Sequence, residues 1–86
     1  MSEISRTVVE YFAERLPIGD LSDEERLNYQ WAGTGTLDSF AVLNVVMAFE
    51  ETFGITFTNE QMMDTSFERI GGVIDAIRKQ KEGSAA

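Results

Sequence analysis

Leu37-Asp38-Ser39-Phe40 runs without a break into Ala41-Val42-Leu43-Asn44-Val45-Val46-Met47-Ala48-Phe49-Glu50-Glu51-Thr52-Phe53 and then meets Gly54. Val42, Val46, Phe49 and Phe53 fall at i, i+4, i+7 and i+11, the spacing of one helix face, with Leu43, Val45 and Met47 widening the stripe. Ala41, Asn44, Ala48 and Glu51 form a narrow opposing stripe at the same helical spacing. The expectation is a helix from about Ser39 to Phe53 that packs on three sides and turns the narrow stripe outward, with Gly54 as its C-terminal stop. An acid and a hydroxyl therefore stand at the mouth of the most hydrophobic helix in the chain. They follow Gly33-Thr34-Gly35-Thr36, whose glycines permit a sharp turn.

Working outward, Ile4, Val8, Phe12 and Leu16 repeat every fourth residue, with Val9 beside them, and predict an amphipathic first helix stopped by Pro17 and Gly19. From Pro17 to Asp38 no period is sustained, a length that a compact domain leaves open chiefly when the loop is functional. Within it, Ser22-Asp23-Glu24-Glu25 reads as a capping box for a turn or two of helix. Leu21, Leu27, Tyr29, Trp31 and Leu37 are the residues expected to pin this loop to the bundle, Trp31 as a lid on the core.

Beyond Gly54, Ile55-Thr56-Phe57 alternates like a strand but has no second strand to pair with, and reads as an extended linker. Thr58-Asn59-Glu60-Gln61 opens a short helix through Met63, and Thr65-Ser66-Phe67-Glu68 is read as a further capping box that opens the last helix. Gly71-Gly72 inside that helix costs about 1 kcal/mol per glycine relative to alanine, a cost that close approach of another segment would offset. Residues from about 79 to 86 turn polar and small and are expected to fray. The fold class predicted is all-α: a small antiparallel bundle of three main helices plus one short helix, with a long loop between helices 1 and 2.

Eighty-six residues make a single domain, 1–86, too small for a deep enzymatic cleft. The chain has no Cys and no His, which removes disulfides, thiol nucleophiles, imidazole bases and the usual zinc ligands. Fifteen acidic against seven basic residues give a net charge of -8, unfavourable for phosphate backbones and anionic membranes. No stretch approaches the roughly 18 apolar residues of a membrane span, and no apolar leader opens the chain, so a cytoplasmic protein without nucleic-acid or membrane partners is expected, a monomer. The acids Asp20, Asp23, Glu24 and Glu25 lack calcium-loop spacing, and no metal site is predicted.

No catalytic residues are assigned. Paired carboxylates need a cleft to hold them, and Glu24-Glu25 and Glu50-Glu51 have none. Ser39 as a hydrolytic nucleophile lacks its histidine, and a Ser-Lys pair needs Lys79 or Lys81 to reach it from the tail. Two readings of Ser39 remain from the residues: Ser39 or Asp38 as a plain helix N-cap, or Ser39 as a hydroxyl that another enzyme esterifies with a phosphate-linked group. A helix N-terminus stabilises such a phosphodiester by about 0.3–1 kcal/mol.

Asp38-Ser39-Phe40, followed by an apolar helix ending Phe49-Glu50-Glu51-Thr52-Phe53-Gly54-Ile55, resembles the acyl carrier proteins, whose pattern is Asp-Ser-Leu and then a helix ending in a Leu-Glu-Glu-x-Phe type sequence. The likeness is strongest from Leu37 to Phe57 and extends more weakly across most of the chain. It implies a non-enzymatic carrier in which Ser39 bears 4′-phosphopantetheine, added from coenzyme A by a phosphopantetheinyl transferase. The thiol of that arm holds an acyl or aminoacyl group as a thioester and presents it to loading, synthase or transferase enzymes.

Two departures from the family pattern stand out. Position 40 is Phe where Leu is commoner, and the outward stripe of the helix reads Ala41, Asn44, Ala48, with acids only at Asp38, Glu50 and Glu51. The resemblance thus implies a partner-binding surface of Asp38, Phe40, Ala41, Asn44, Glu50 and Glu51 that is less electrostatic and more shape-dependent than in housekeeping carriers. A polyketide or nonribosomal peptide type pathway is favoured, with fatty acid synthesis or D-alanyl transfer as alternatives. Met47, Met62, Met63, Phe49 and Ile74 are candidates to line an acyl cavity, although Met and aromatic residues at helical spacing are more often ordinary core. The rival of another class is an unmodified helical adaptor.

Overall fold

The computed structural model describes residues 3–32 and 39–85, in a small all-α bundle. The Gly-Thr-Gly-Thr loop, Leu37 and Asp38 lie outside the described residues. Helix α1 spans Glu3–Ala13, α2 Asp23–Asn28, α3 Ser39–Phe53, α4 Asn59–Met63 and α5 Ile70–Ala85, with a 3₁₀ turn at Thr65–Glu68 between the last two.

α1 buries Val8, Val9 and Phe12, as its spacing predicts, but stops at Ala13, one turn before Leu16. Leu16 precedes Pro17, whose ring disfavours helical backbone there. The chain tightens instead through Arg15 and Leu16 N–H bonds to the Phe12 carbonyl at 2.9 and 2.7 Å, and Leu16 and Ile18 are still buried. α2 forms with both halves of the Ser22–Glu25 capping box in place. It adds a helix to the three-plus-one predicted. Its Arg26 donates to the Ile18 and Gly19 carbonyls at 2.9 and 2.6 Å and so fastens the loop that follows α1.

The core closes around Trp31, which is fully buried at the centre rather than a lid. Its ring meets Phe12 at 5.1 Å and Phe67 at 6.0 Å, and its Nε1–H donates to the Phe67 carbonyl at 2.8 Å. The backbone around it is equally constrained. Trp31 N–H donates to the Glu68 carbonyl at 2.8 Å, Ile70 N–H to the Tyr29 carbonyl at 3.1 Å, and Gln30 pairs antiparallel with Arg69.

This pairing corrects the start of the last helix. Arg69 is extended and paired with the loop, so Thr65–Glu68 is a separate 3₁₀ turn capped by Asp64, and the α-helix begins only at Ile70. The cap here is Asp64 rather than the predicted Thr65–Glu68 box: the Asp64 carboxylate accepts the Ser66 N–H at 2.8 Å and opens the 3₁₀ turn, not the last α-helix. The helix then continues to Ala85, through the stretch expected to fray. Gly72 owes its identity to this junction: a Cβ there would run into the Ser66 carbonyl. At Gly71 a Cβ would stand 3.0 Å from the Leu27 carbonyl of α2.

α4 has its predicted Thr58–Gln61 capping box, and Ile55-Thr56-Phe57 is a linker outside regular secondary structure, its two apolar side chains buried and Thr56 exposed. Side-chain bonds tie the helices together: Arg78 to Ser5 (3.3 Å) joins α5 to α1, and Gln80 to Gln61 (3.0 Å) joins α5 to α4.

Candidate functional site

Ser39 is the first residue of α3, an uninterrupted helix of fifteen residues. Val45, Val46 and Phe49 are buried and Val42 and Phe53 half-buried, so one face of α3 is committed to the core. Phe49 is fixed there by Tyr11 and Phe12, at ring distances of 4.8 and 5.7 Å. At the far end, Gly54 adopts φ +66° and the Ile55 N–H closes back on the Glu50 carbonyl at 3.0 Å, a Schellman-type stop.

The outward face differs from the one predicted. Phe40 is 79% exposed, Leu43 53% and Met47 57%, and Asn44 and Glu51 are exposed beside them, whereas Ala41 and Ala48 are only half-exposed. At 100° per residue the outermost line is Phe40, Asn44, Met47 and Glu51, with Leu43 along one edge and Ala41 and Ala48 along the other. Leu43 and Met47, read from the sequence as widening the packed stripe, lie on the opposite side of the helix from Val45. The signal for this is in the composition of α3 itself: its apolar residues exceed what one core-facing stripe can bury.

The candidate residues fall into two groups. Ser39, Phe40, Ala41 and Asn44 share the first turns of α3, Phe40 and Asn44 facing solvent. Glu51 lies on the same outer line three turns on. Glu50 stands apart: it is half-buried, and its Oε2 accepts the Phe57 N–H at 2.9 Å, which fixes the linker after α3. Asp38 lies outside the described residues.

Several alternative chemistries lose their geometry. Lys81 Nζ donates to the Phe53 carbonyl at 3.4 Å, at the opposite end of α3 from Ser39. Fourteen helical rises separate those ends, about 21 Å, too far for Lys81 to pair with Ser39. Asp23 faces Arg26 at 3.4 Å and Glu25 accepts the Ser22 N–H at 3.0 Å. Among the described residues no three acids converge on a cation-sized site. The residues named for an acyl cavity do not meet in one: Phe49 and Ile74 are core, Met47 and Met63 are exposed, Met63 at 83%, and Met62 lies at the surface of α4.

Two carboxylates have depressed pKa values, both for local reasons. Glu25 is held below its ordinary 4.5 by the Ser22 backbone N–H and then its hydroxyl, and Asp64 below its ordinary 3.8 chiefly by the Ser66 backbone N–H. Both are caps. No helix of the described chain is long and apolar enough to cross a membrane. Comparison with protein-family models, with curated proteins and with solved structures returned no match to this chain.

Proposed function

We propose that the chain is a carrier protein in which Ser39 bears 4′-phosphopantetheine and presents acyl or aminoacyl thioesters to partner enzymes. The observation that carries the reading is the Asp38-Ser39-Phe40 motif in register with an apolar helix ending Phe49-Glu50-Glu51-Thr52-Phe53-Gly54, Ser39 being that helix's first residue. The fit of the group rests on position. A long helix directs its positive dipole end toward a phosphodiester at Ser39, and the adjacent Phe40 is open to an incoming enzyme.

The carrier supplies the hydroxyl, the scaffold and the docking face. The transferase forms the Ser39 Oγ–phosphorus bond as the pyrophosphate link of coenzyme A breaks, with adenosine bisphosphate leaving and the hydroxyl proton passing to the transferase. The thiol chemistry then belongs to the arm. This accounts for a chain that holds neither histidine nor cysteine. The sparse charge of the α3 outer face favours a dedicated cytoplasmic carrier of polyketide or nonribosomal peptide type over one for fatty acid synthesis or D-alanyl transfer. An unmodified helical adaptor is the second reading, favoured by the exposed apolar side chains of α3, which suit partner binding with or without an arm.

Intact-mass analysis after incubation with coenzyme A and a broad-specificity phosphopantetheinyl transferase separates the two. The wild-type chain is expected to gain one phosphopantetheine group and the Ser39→Ala chain none. A wild-type mass that stays unchanged, while a control carrier is modified, leaves the adaptor.

A further inference from the structure

We infer that the cleft between α1, α2 and α5 is a binding site for a small dicarboxylate, with Arg69 and Arg78 taking its two carboxylates. The cleft shares no residue with α3, and the inference stands apart from the carrier reading. Its volume is about 320 Å³, the scale of a small-molecule pocket. The lining is mixed. Leu27 and Ile74 supply apolar surface, Gly71 and Gly72 leave the α5 backbone bare, and Arg69, Asp75 and Arg78 bring the charge.

Both arginines are held from behind. Arg69 projects from extended backbone that is paired with Gln30 and whose N–H donates to the Ser66 carbonyl at 3.0 Å. Among the described residues its side chain forms no ion pair. Arg78 donates to the Ser5 hydroxyl at 3.3 Å, and Ser5 is itself only 7% exposed. Charge then decides the class of ligand. Two bases and one acid make the cleft locally positive in a chain of net charge -8. Ile70, next to Arg69, and Arg78 are eight rises apart, about 12 Å, with Asp75 in the intervening stretch and 4.0 Å from Arg78. Each guanidinium is a planar fork that matches one carboxylate. A ligand with two anionic ends and a short apolar middle meets both forks and lays its uncharged part over Leu27 and the glycines. A compact anion centred between the arginines faces Asp75 instead.

The test is a ¹H–¹⁵N titration of the full, unmodified chain with glutarate, butyrate and inorganic phosphate at an ionic strength fixed near about 0.1 M. Glutarate is expected to shift the Gly71, Gly72 and Asn28 amides saturably. Butyrate and phosphate, each meeting one fork, are expected to bind about tenfold more weakly or worse. Arg69→Gln and Arg78→Gln are each expected to weaken glutarate about tenfold or more. Arg6→Gln, which removes an exposed base outside the cleft, is expected to leave binding unchanged. The Arg69 side chain is exposed, so its variant is expected to keep the wild-type spectrum away from the cleft even where loss of the Ser5 bond disturbs Arg78→Gln. Shifts that grow without saturating, or an unchanged glutarate affinity in Arg69→Gln, overturn the site. Butyrate or phosphate binding as tightly as glutarate overturns the dicarboxylate assignment. None of these outcomes bears on Ser39, whose modification is read separately by mass.

Discussion

The junction around Trp31 and the outer face of α3 use large apolar side chains in opposite ways. At the junction, Trp31, Phe67 and Ile70 are buried, the backbone on both sides is paired, Trp31 N–H to the Glu68 carbonyl and Ile70 N–H to the Tyr29 carbonyl, and the Trp31 side chain donates its Nε1–H to the Phe67 carbonyl. On α3, Phe40, Leu43 and Met47 bring comparable apolar surface and leave it in water. One region is over-determined and the other unspent. The contrast separates residues that hold the bundle together from residues that are free to serve something outside it.

The contrast breaks most directly at Trp31. Trp31→Ala removes the centre of the core and is expected to cost about 3–5 kcal/mol in urea unfolding. That is a large share of the roughly 4–13 kcal/mol available to a chain of this length. A loss below about 1 kcal/mol would mean that the junction does not organise the fold. The same experiment on Leu43→Glu or Met47→Glu is expected to move stability by less than about 0.5 kcal/mol.

The glycine pair sharpens the comparison at smaller scale. Gly72→Ala drives a methyl into the Ser66 carbonyl and is expected to cost about 1–3 kcal/mol, because backbone rather than a flexible side chain must yield. At Gly71 the approach to the Leu27 carbonyl, 3.0 Å, opposes a gain in helix propensity of about 1 kcal/mol, and the net change is expected to stay within about 1 kcal/mol of zero. Equal losses at the two positions would show that the close approach of the 3₁₀ turn is not what Gly72 accommodates.

The smallest expected effect is on pH dependence. Glu25 and Asp64 bind protons less readily folded than unfolded, so each contributes stability above its ordinary value of 4.5 or 3.8 that is lost as pH falls through its lower folded value. Glu25→Gln and Asp64→Asn keep an acceptor for the capping bond but do not titrate. Each is expected to flatten the fall in urea midpoint below about pH 4.5 slightly and to leave neutral-pH stability near wild type. A steeper fall in either variant contradicts the capping role.

Much of the bundle was legible because its signals are local. The α1 stripe, the Ser22 and Thr58 capping boxes and the Gly54 stop all rest on residues within a few positions of one another. What was not legible depends on distant pairing. The Gln30–Arg69 bridge joins segments far apart in the chain, and nothing near Thr65 signals that the helix there must wait until Ile70. The rotation of α3 was missed for a related reason. With apolar residues nearly all round it, periodicity alone cannot choose the core face, and the choice is made by Tyr11 and Phe12 of α1 packing on Phe49. Of the candidate residues, the position of Ser39 at the head of α3 and the outward placement of Phe40 and Asn44 were readable from the sequence of the helix. The exposure of Leu43 and Met47 was not, and Glu50 proved to hold the Phe57 N–H.

The central claim, that the hydroxyl at the head of α3 is where cargo is tethered, is tested most directly by locating the added mass. After incubation with coenzyme A and a broad-specificity phosphopantetheinyl transferase, the protein is digested and its peptides are fragmented. The account predicts a single phosphopantetheine group on Ser39 and unmodified serines at positions 2, 5, 22, 66 and 84. An arm found on another serine, or none on a folded chain beside a modified control carrier, contradicts it.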